Sequence, residues 1–137
     1  SNKLPGSITS KQKMFISDTY TFELEEKDQG QILVTHMGIQ GRICSRDWDD
    51  KDASVLCRGK GFQKGLAYQH SEGNVMRERR GPYWLGGFNC TGKEASLNDC
   101  PRLNRTNLDN CTAYDIAAVL CYNDSGKSRQ KLKNCIS

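Results

Sequence analysis

No run of about 18 consecutive apolar residues occurs in this chain, so no membrane-spanning helix is expected. No charged-then-apolar leader opens it either, and it reads as a mature or excised segment. Histidine is scarce: His36 falls in a strand-like stretch and His70 in a loop-like one, and neither has the sequence context of a serine or cysteine nucleophile. Catalysis is therefore not expected. Aromatic residues make up 8% of the chain and are not interleaved with a basic run. Without such a stacking platform, nucleic acid is not an expected partner. Cys-x-x-Cys pairs are missing too, which argues against a zinc cage.

Cysteine itself is plentiful. Six of the seven, Cys44, Cys57, Cys90, Cys100, Cys111 and Cys121, fall in one block, and Cys135 stands apart near the end. An even number at irregular spacing in a short chain reads as a disulfide framework. Such a framework belongs to an oxidising, extracellular compartment. With 137 residues, 36% hydrophobic content and a mean hydropathy of -0.72, one lean domain that gains much from covalent staples is expected.

The net charge of +4 is unevenly placed. Lys3, Lys11 and Lys13 stand without an acid in residues 1–14, and Lys127, Arg129, Lys131 and Lys133 face only Asp124 in the last fourteen. The middle of the chain is thus slightly acidic, and a basic patch there requires local clustering. Residues 1–14 and 123–137 are expected to be a flexible tail and a basic tail around a domain at 15–122.

Within that domain, Thr19 to Leu24 alternates apolar and polar side chains, the pattern of a half-buried strand. Gln31 to His36 and Gln40 to Cys44 read as two further strands around the Met37-Gly38 break. Acids at Asp49, Asp50 and Asp52 precede an apolar pattern and suit a helix N-terminus, with the helix stopping near Gly59 and burying Cys57. Residues 63–82 read as a long Gly-rich, charged loop. Beyond it come an apolar Tyr83-Trp84-Leu85, a short helix within Glu94 to Cys100, and a buried strand from Ile116 to Tyr122.

Four ordered blocks resemble the scavenger receptor cysteine-rich domain in its six-cysteine form. They are Gly38 to Cys44, Trp48 to Arg58, Trp84 to Pro101, and Asp115 to Cys121. The third reads Trp84-Leu85-Gly86-Gly87-Phe88-Asn89-Cys90 and continues through Gly92, Glu94, Leu97 and Cys100-Pro101. The resemblance implies a small α+β domain, a curved β-sheet cradling one main helix. It also implies bridges Cys44 with Cys111, Cys57 with Cys121, and Cys90 with Cys100. Phe62 stands where the eight-cysteine form has an additional cysteine, which places the chain in the six-cysteine group.

Many domains of that family hold Ca²⁺ through two aspartates after the first cysteine and a later glutamate. Here those positions are Ser45, Arg46 and Asp115, and Gly86-Gly87 replaces a further acidic pair. Hard cations need several anionic oxygens, so no cofactor is expected, with Asp47 and Asp115 as the weak metal candidates. Arg46 is expected either to take the place of the ion, paired with Asp47 or Asp115, or to point into water.

Arg42, Arg46, Arg58, Lys60, Lys64, Arg77, Arg79 and Arg80 are candidates for one basic face that takes an extracellular protein or a polyanion such as a sulfated glycan or bacterial surface polymer. Arg77-Glu78-Arg79-Arg80 also has the form of a processing site cut after Arg80; a solvated loop is the third reading. Four glycosylation sequons begin at Asn89, Asn104, Asn110 and Asn123. Asn104 and Asn123 are the favoured acceptors, because Asn89 and Asn110 directly precede cysteines expected to be bridged. The expected function is an extracellular, scavenger-receptor-type recognition module, secreted or displayed outside a membrane. The alternatives are an accessory domain of a mosaic secreted serine protease or complement-type protein, with Cys135 bridged to another domain or chain, and a structural spacer.

Overall fold

The computed structural model describes residues 19–71, 81–103 and 107–124. The expected tail at 1–14, residues 125–137 of the expected basic tail, the Arg77 to Arg80 cluster, Asn104 and Cys135 lie outside the described residues. Three strands open the domain, β1 (Thr21–Leu24), β2 (Gln29–His36) and β3 (Ile39–Ile43). They are followed by the helix α1 (Asp50–Gly59), then β4 (Lys64–His70), β5 (Tyr83–Leu85) and β6 (Ile116–Tyr122). Two 3₁₀ turns, Leu97–Asp99 and Leu108–Asn110, punctuate the stretch before β6.

β2 is the spine of a mixed sheet ordered β4-β6-β2-β3-β5, with β1 added to β2. β1 pairs antiparallel with residues 32–35 of β2, β3 with residues 34–36, and β6 with residues 29–31. β2 and β3 meet through a tight turn in which Met37 and Gly38 both have positive φ, 52° and 79°. That is the mirror-image geometry that matches strand twist. The apolar alternation in the sequence becomes a core in which Ile32, Val34, Ile43 and Val119 are fully buried in one cluster with Ala53, Val55 and Cys57 of α1.

α1 begins where its acids place it. Asp49 is the N-cap: its carboxylate accepts the Asp52 backbone N–H, and the Asp52 carboxylate accepts the Asp49 N–H, both at 3.0 Å. This reciprocal box satisfies two of the donors a helix start leaves open. Asp52 is wholly buried and also accepts the Cys90 N–H at 3.0 Å, so one carboxylate joins the helix to the loop after β5. Burial pushes its pKa up from 3.8 to about 6, against the lowering effect of those two N–H donors.

The expected long loop at 63–82 contains a strand instead. β4 pairs with β6 over seven residues, Lys64 with Tyr122 through His70 with Ile116. Gly65, the feature that made this stretch read as loop, is what brings α1 onto the sheet. A Cβ there would lie 2.5 Å from the Cys57 sulfur and 2.7 Å from the Ala53 carbonyl oxygen. α1 also caps this sheet edge: Ser54 Oγ contacts both the N–H and carbonyl of Gly65, and Asp50 accepts the Ala67 N–H. Covering an edge in this way blocks pairing with another chain. The helix expected within Glu94 to Cys100 is reduced to the single turn Leu97–Asp99, capped by Ser96.

Three bridges form with the pairing implied by the resemblance: Cys44 to Cys111, Cys57 to Cys121 and Cys90 to Cys100. The first two close loops of 67 and 64 residues. In the chain-entropy picture each of these contributes about 4 kcal/mol, and the ten-residue closure about 3.

Two measurements check this architecture. Gly65→Ala is expected to lower the free energy of unfolding by about 1–3 kcal/mol in urea, through overpacking against Cys57. Gly59→Ala, at a position with open space around its Cβ, changes it by less than about 1 kcal/mol and serves as the control. The second concerns Asp52. Its folded pKa lies above the unfolded one, so the folded state binds the extra proton between pH 3.8 and about 6. The stabilisation from this proton is complete at low pH and is lost as pH rises through about 6. A carboxyl-carbon NMR titration of Asp52 is expected to show a midpoint near 6, and a midpoint at or below 4 contradicts the assignment.

Candidate functional site

β3 ends at Ile43, and after Cys44 the next four residues turn sharply, with the Trp48 N–H bonded to the Ser45 carbonyl at 3.0 Å. Asp47 takes a left-handed φ of 67° in this turn, a conformation aspartate tolerates better than most residues. The turn sends Arg46 toward the approach to β6. Its guanidinium donates to the Asn110 carbonyl at 2.9 Å and pairs with the Asp115 carboxylate at 3.5 Å. The backbone is tied at the same place, since the Ser45 N–H donates to the Asp115 carbonyl at 2.7 Å.

Asp115 is itself held. Its carboxylate accepts the Thr112 N–H at 2.8 Å and the Thr112 hydroxyl at 3.2 Å. Nearby, the Tyr83 hydroxyl donates to the Thr112 carbonyl and the Gln69 amide to the Tyr114 carbonyl. Cys44 to Cys111 runs beneath this cluster. The result is an arginine whose side chain is half exposed but whose direction is fixed; Tyr114, the residue before its partner Asp115, is 54% exposed. Of the partners expected for Arg46, Asp115 lies within ion-pair distance, while half of the arginine side chain remains in water.

The other basic candidates are not gathered with it. Arg42 is a correction: it is buried, with Nε donating to Gln31 Oε1 at 2.6 Å and Nη1 to the Gly41 carbonyl at 3.0 Å. Gln31 in turn donates to Glu25 at 3.2 Å, so Arg42 anchors a polar chain inside the sheet and presents nothing to a ligand. Arg58 is spent on the carbonyls of Gly92 and Glu94, at 2.6 and 2.8 Å. Lys60 pairs with Glu23 at 3.6 Å and Lys64 with Asp124 at 3.3 Å. Lys64 stands beside Tyr122 and Arg46 beside Asp115, at opposite ends of β6, about 20 Å apart at strand rise. Among the described residues, then, the expected single basic face is divided.

The remaining candidates have structural surroundings. His36 is stacked on Tyr20 at 4.2 Å and meets the Trp84 ring edge-on at 5.1 Å, with Nδ1 3.3 Å from the Thr19 carbonyl. Trp48 donates to the Ala118 carbonyl and Trp84 to that of Ile39, and both pack on the core. Among the described residues, the group of acids and sulfurs close enough to share a cation is Cys90, Glu94 and Cys100. Both sulfurs are committed to their bridge. Glu94 is held by the N–H groups of Thr91 and Gly92 and by the Thr91 hydroxyl. The Thr91 N–H is the largest influence lowering its pKa from 4.5 to about 2. Two shallow cavities of about 270 and 100 Å³ share Tyr20, Phe22, Leu97 and Asn98 as lining, and of the basic candidates only Lys60 lines either of them, the larger one.

A sheet around one helix, three bridges in this pairing and a tethered turn after Cys44 define a small cysteine-rich α+β domain. The chain belongs to the scavenger receptor cysteine-rich domain family, whose model matches residues 23–122. It is 37% identical over 98 residues to galectin-3-binding protein of Pongo abelii, covering 72% of this chain and 16% of that protein. Lysyl oxidase homolog 4 of Bos taurus is 34% identical over 94 residues, 69% of this chain and 12% of that protein. Macrophage scavenger receptor types I and II of Mus musculus is 32% identical over 93 residues, 68% of this chain and 20% of that protein. The chain thus spans a fifth or less of these relatives.

Two solved structures agree. The domain of mouse MARCO in its dimeric form aligns with a TM-score of 0.57 at 37% identity, covering 69% of this chain and 86% of that one. The third such domain of murine neurotrypsin aligns at 0.62 and 31%, covering 75% and 96%. Domains of this family are typically non-catalytic modules and are extracellular in the relatives. Among the described residues no helix is long and apolar enough to cross a membrane.

Because the Arg46 pair is half exposed, its energetic weight in the fold is small. Arg46→Ala is expected to change the free energy of urea unfolding by less than about 1 kcal/mol. A loss above about 2 kcal/mol would mean that the arginine is a structural strut rather than a displayed group.

Proposed function

We propose that this domain is an extracellular recognition module that binds a protein partner through the Arg46 end of β6, without Ca²⁺ at the family's usual position. The observation that carries the reading is the pinned, half-exposed Arg46 guanidinium between Asp115 and the Asn110 carbonyl, with Tyr114, next to Asp115 in the chain, also exposed. Arginine and tyrosine are over-represented among residues that dominate binding energy. A guanidinium already oriented loses little freedom on binding and pairs with carboxylates in a fixed fork. The division of the described basic groups between the two ends of β6 favours a partner with a compact acidic patch over a long polyanion. Arg46 also supplies a fixed positive charge within 3.5 Å of Asp115, which opposes a divalent cation there.

A second reading, that the domain is an accessory unit of a mosaic secreted protein, is supported by its coverage of 12% to 20% of the curated relatives. The two readings are compatible, since a mosaic protein uses such modules to find its partners.

Calorimetric titration with Ca²⁺ is expected to show no saturable binding at millimolar concentrations; tight binding removes the Ca-independent reading. Surface-plasmon measurements against extracellular acidic proteins and heparin test the partner class. Expected is a protein ligand whose binding survives EDTA and weakens at least tenfold in Arg46→Ala. Heparin binding of equal strength that is insensitive to Arg46 would replace this reading with a polyanion one.

A further inference from the structure

β1 pairs on one side only, with β2. Their register, Thr21 opposite Thr35 through Leu24 opposite Ile32, carries on to Glu25, whose N–H donates to the Gln31 carbonyl at 3.1 Å. Backbone groups of an antiparallel strand point alternately toward and away from the partner. Those of Thr21 and Glu23 therefore turn toward β2, and those of Tyr20, Phe22 and Leu24 turn outward. The Tyr20 carbonyl accepts the Asn98 side-chain amide at 3.2 Å, which sets the Leu97–Asp99 turn alongside this outer edge. The outward N–H and C=O groups of Phe22 and Leu24 have no partner among the described residues. Where Asp50 and Ser54 cover the β4 edge, β1 thus keeps donors and acceptors on which another strand can form.

Both shallow cavities adjoin this edge. Tyr20 and Phe22 line each of them, together with Leu97 and Asn98 of the turn, so the two form one groove. Lys60 lines the larger part and Arg102 the smaller, and among the described residues no carboxylate lines either. Arg102 is exposed and in no ion pair among the described residues. Lys60 meets Glu23 at 3.6 Å, but that carboxylate is 70% exposed, and such a pair yields readily to a competing acid. The larger cavity, about 270 Å³, exceeds the roughly 150 Å³ that holds a benzene ring, so it has room for one aromatic side chain.

We infer that this groove takes an extended segment of a partner protein, added as a strand to the outer edge of β1. An aromatic side chain of that segment fills the larger cavity, and acidic residues two places before and after it lie toward Lys60 and Arg102. Spacing of two keeps all three side chains on one face of a strand. Backbone bonds to Phe22 and Leu24 supply affinity, while the cavity and the two cations select the sequence. The site goes beyond the Arg46 end of β6 and shares no residue with it.

The probe is the synthetic peptide acetyl-Thr-Asp-Thr-Phe-Thr-Asp-Thr-amide, titrated into the isotope-labelled full chain and followed by backbone amide NMR shifts. Expected is saturable binding with a Kd below about 1 mM, with the largest shifts at Phe22, Leu24 and Asn98. Replacing both aspartates of the peptide by lysine is expected to weaken binding about tenfold or more, as is the double variant Lys60→Glu with Arg102→Glu. Lys64→Glu, at a cation that lines neither cavity, is expected to leave it unchanged. Peptides methylated at one or the other alternate set of backbone nitrogens separate edge pairing from cavity filling on the unaltered domain. One set is expected to lose binding and the other to keep it, and this comparison stands even where the double variant fails to fold. Absence of saturable binding, shifts centred on Arg46, equal binding of the lysine peptide, or methylated peptides that behave alike overturns the proposal. Shifts at Phe22 and Leu24 that follow the concentration of the domain alone overturn it in favour of pairing between two copies of this chain.

Discussion

The joint between α1 and the β4–β6 pair is the constraint on which the rest of the domain depends. Cys57 on the helix is bonded to Cys121 on β6, and Gly65 of β4 lies directly against that sulfur with no room for a side chain. This close approach lets a ten-residue helix cover the sheet with few large residues, Val55 and Leu56 among them. It also allows Asp50 and Ser54 to reach the β4 edge. Since β6 pairs with both β4 and β2, fixing it against the helix fixes the spine of the sheet as well.

Much of this was legible in the sequence, for physical reasons that differ by element. The Asp49 to Asp52 start of α1 was readable because capping is a local rule, satisfied within four residues. The core strands β2 and β6 were readable because burial imposes an apolar pattern. β4 was not, because its identity rests on seven cross-strand partners far away in sequence, and its glycine serves a contact invisible along the chain. Arg42 was misplaced for a related reason: a cation in a strand reads as surface unless its partner, Gln31 on the neighbouring strand, is known. For Arg46 the residue type identified the departure from the family pattern, and the turn geometry brings it to Asp115 while leaving half of it in water.

Among the described residues, several of the surface cations are spent on the fold itself. Lys60, Lys64 and Arg58 tie the helix end and β4 to β1, to the residue after Asn123 and to the loop at 92–94. Arg42 is consumed within the sheet. Arg46, although paired, keeps half its side chain in water and lies in a cluster rigidified by Thr112, Asp115 and the Cys44 bridge. Rigid presentation of a few side chains on a stapled scaffold is how a small domain obtains specificity without a deep pocket.

The placement of the bridges also makes the domain mechanically asymmetric. Cys121 lies one residue before the end of β6, so tension applied from the carboxyl side meets a covalent stop almost at once. From the amino side the first stop is Cys44, beyond β1, β2 and β3. Drawing out residues 19–44 releases about 85 Å of chain at full extension, all of it held by hydrogen bonds and packing alone. A domain strung in series with others would therefore yield from its first three strands while its helix and last strand stayed locked, giving the chain an extensible segment at one end only.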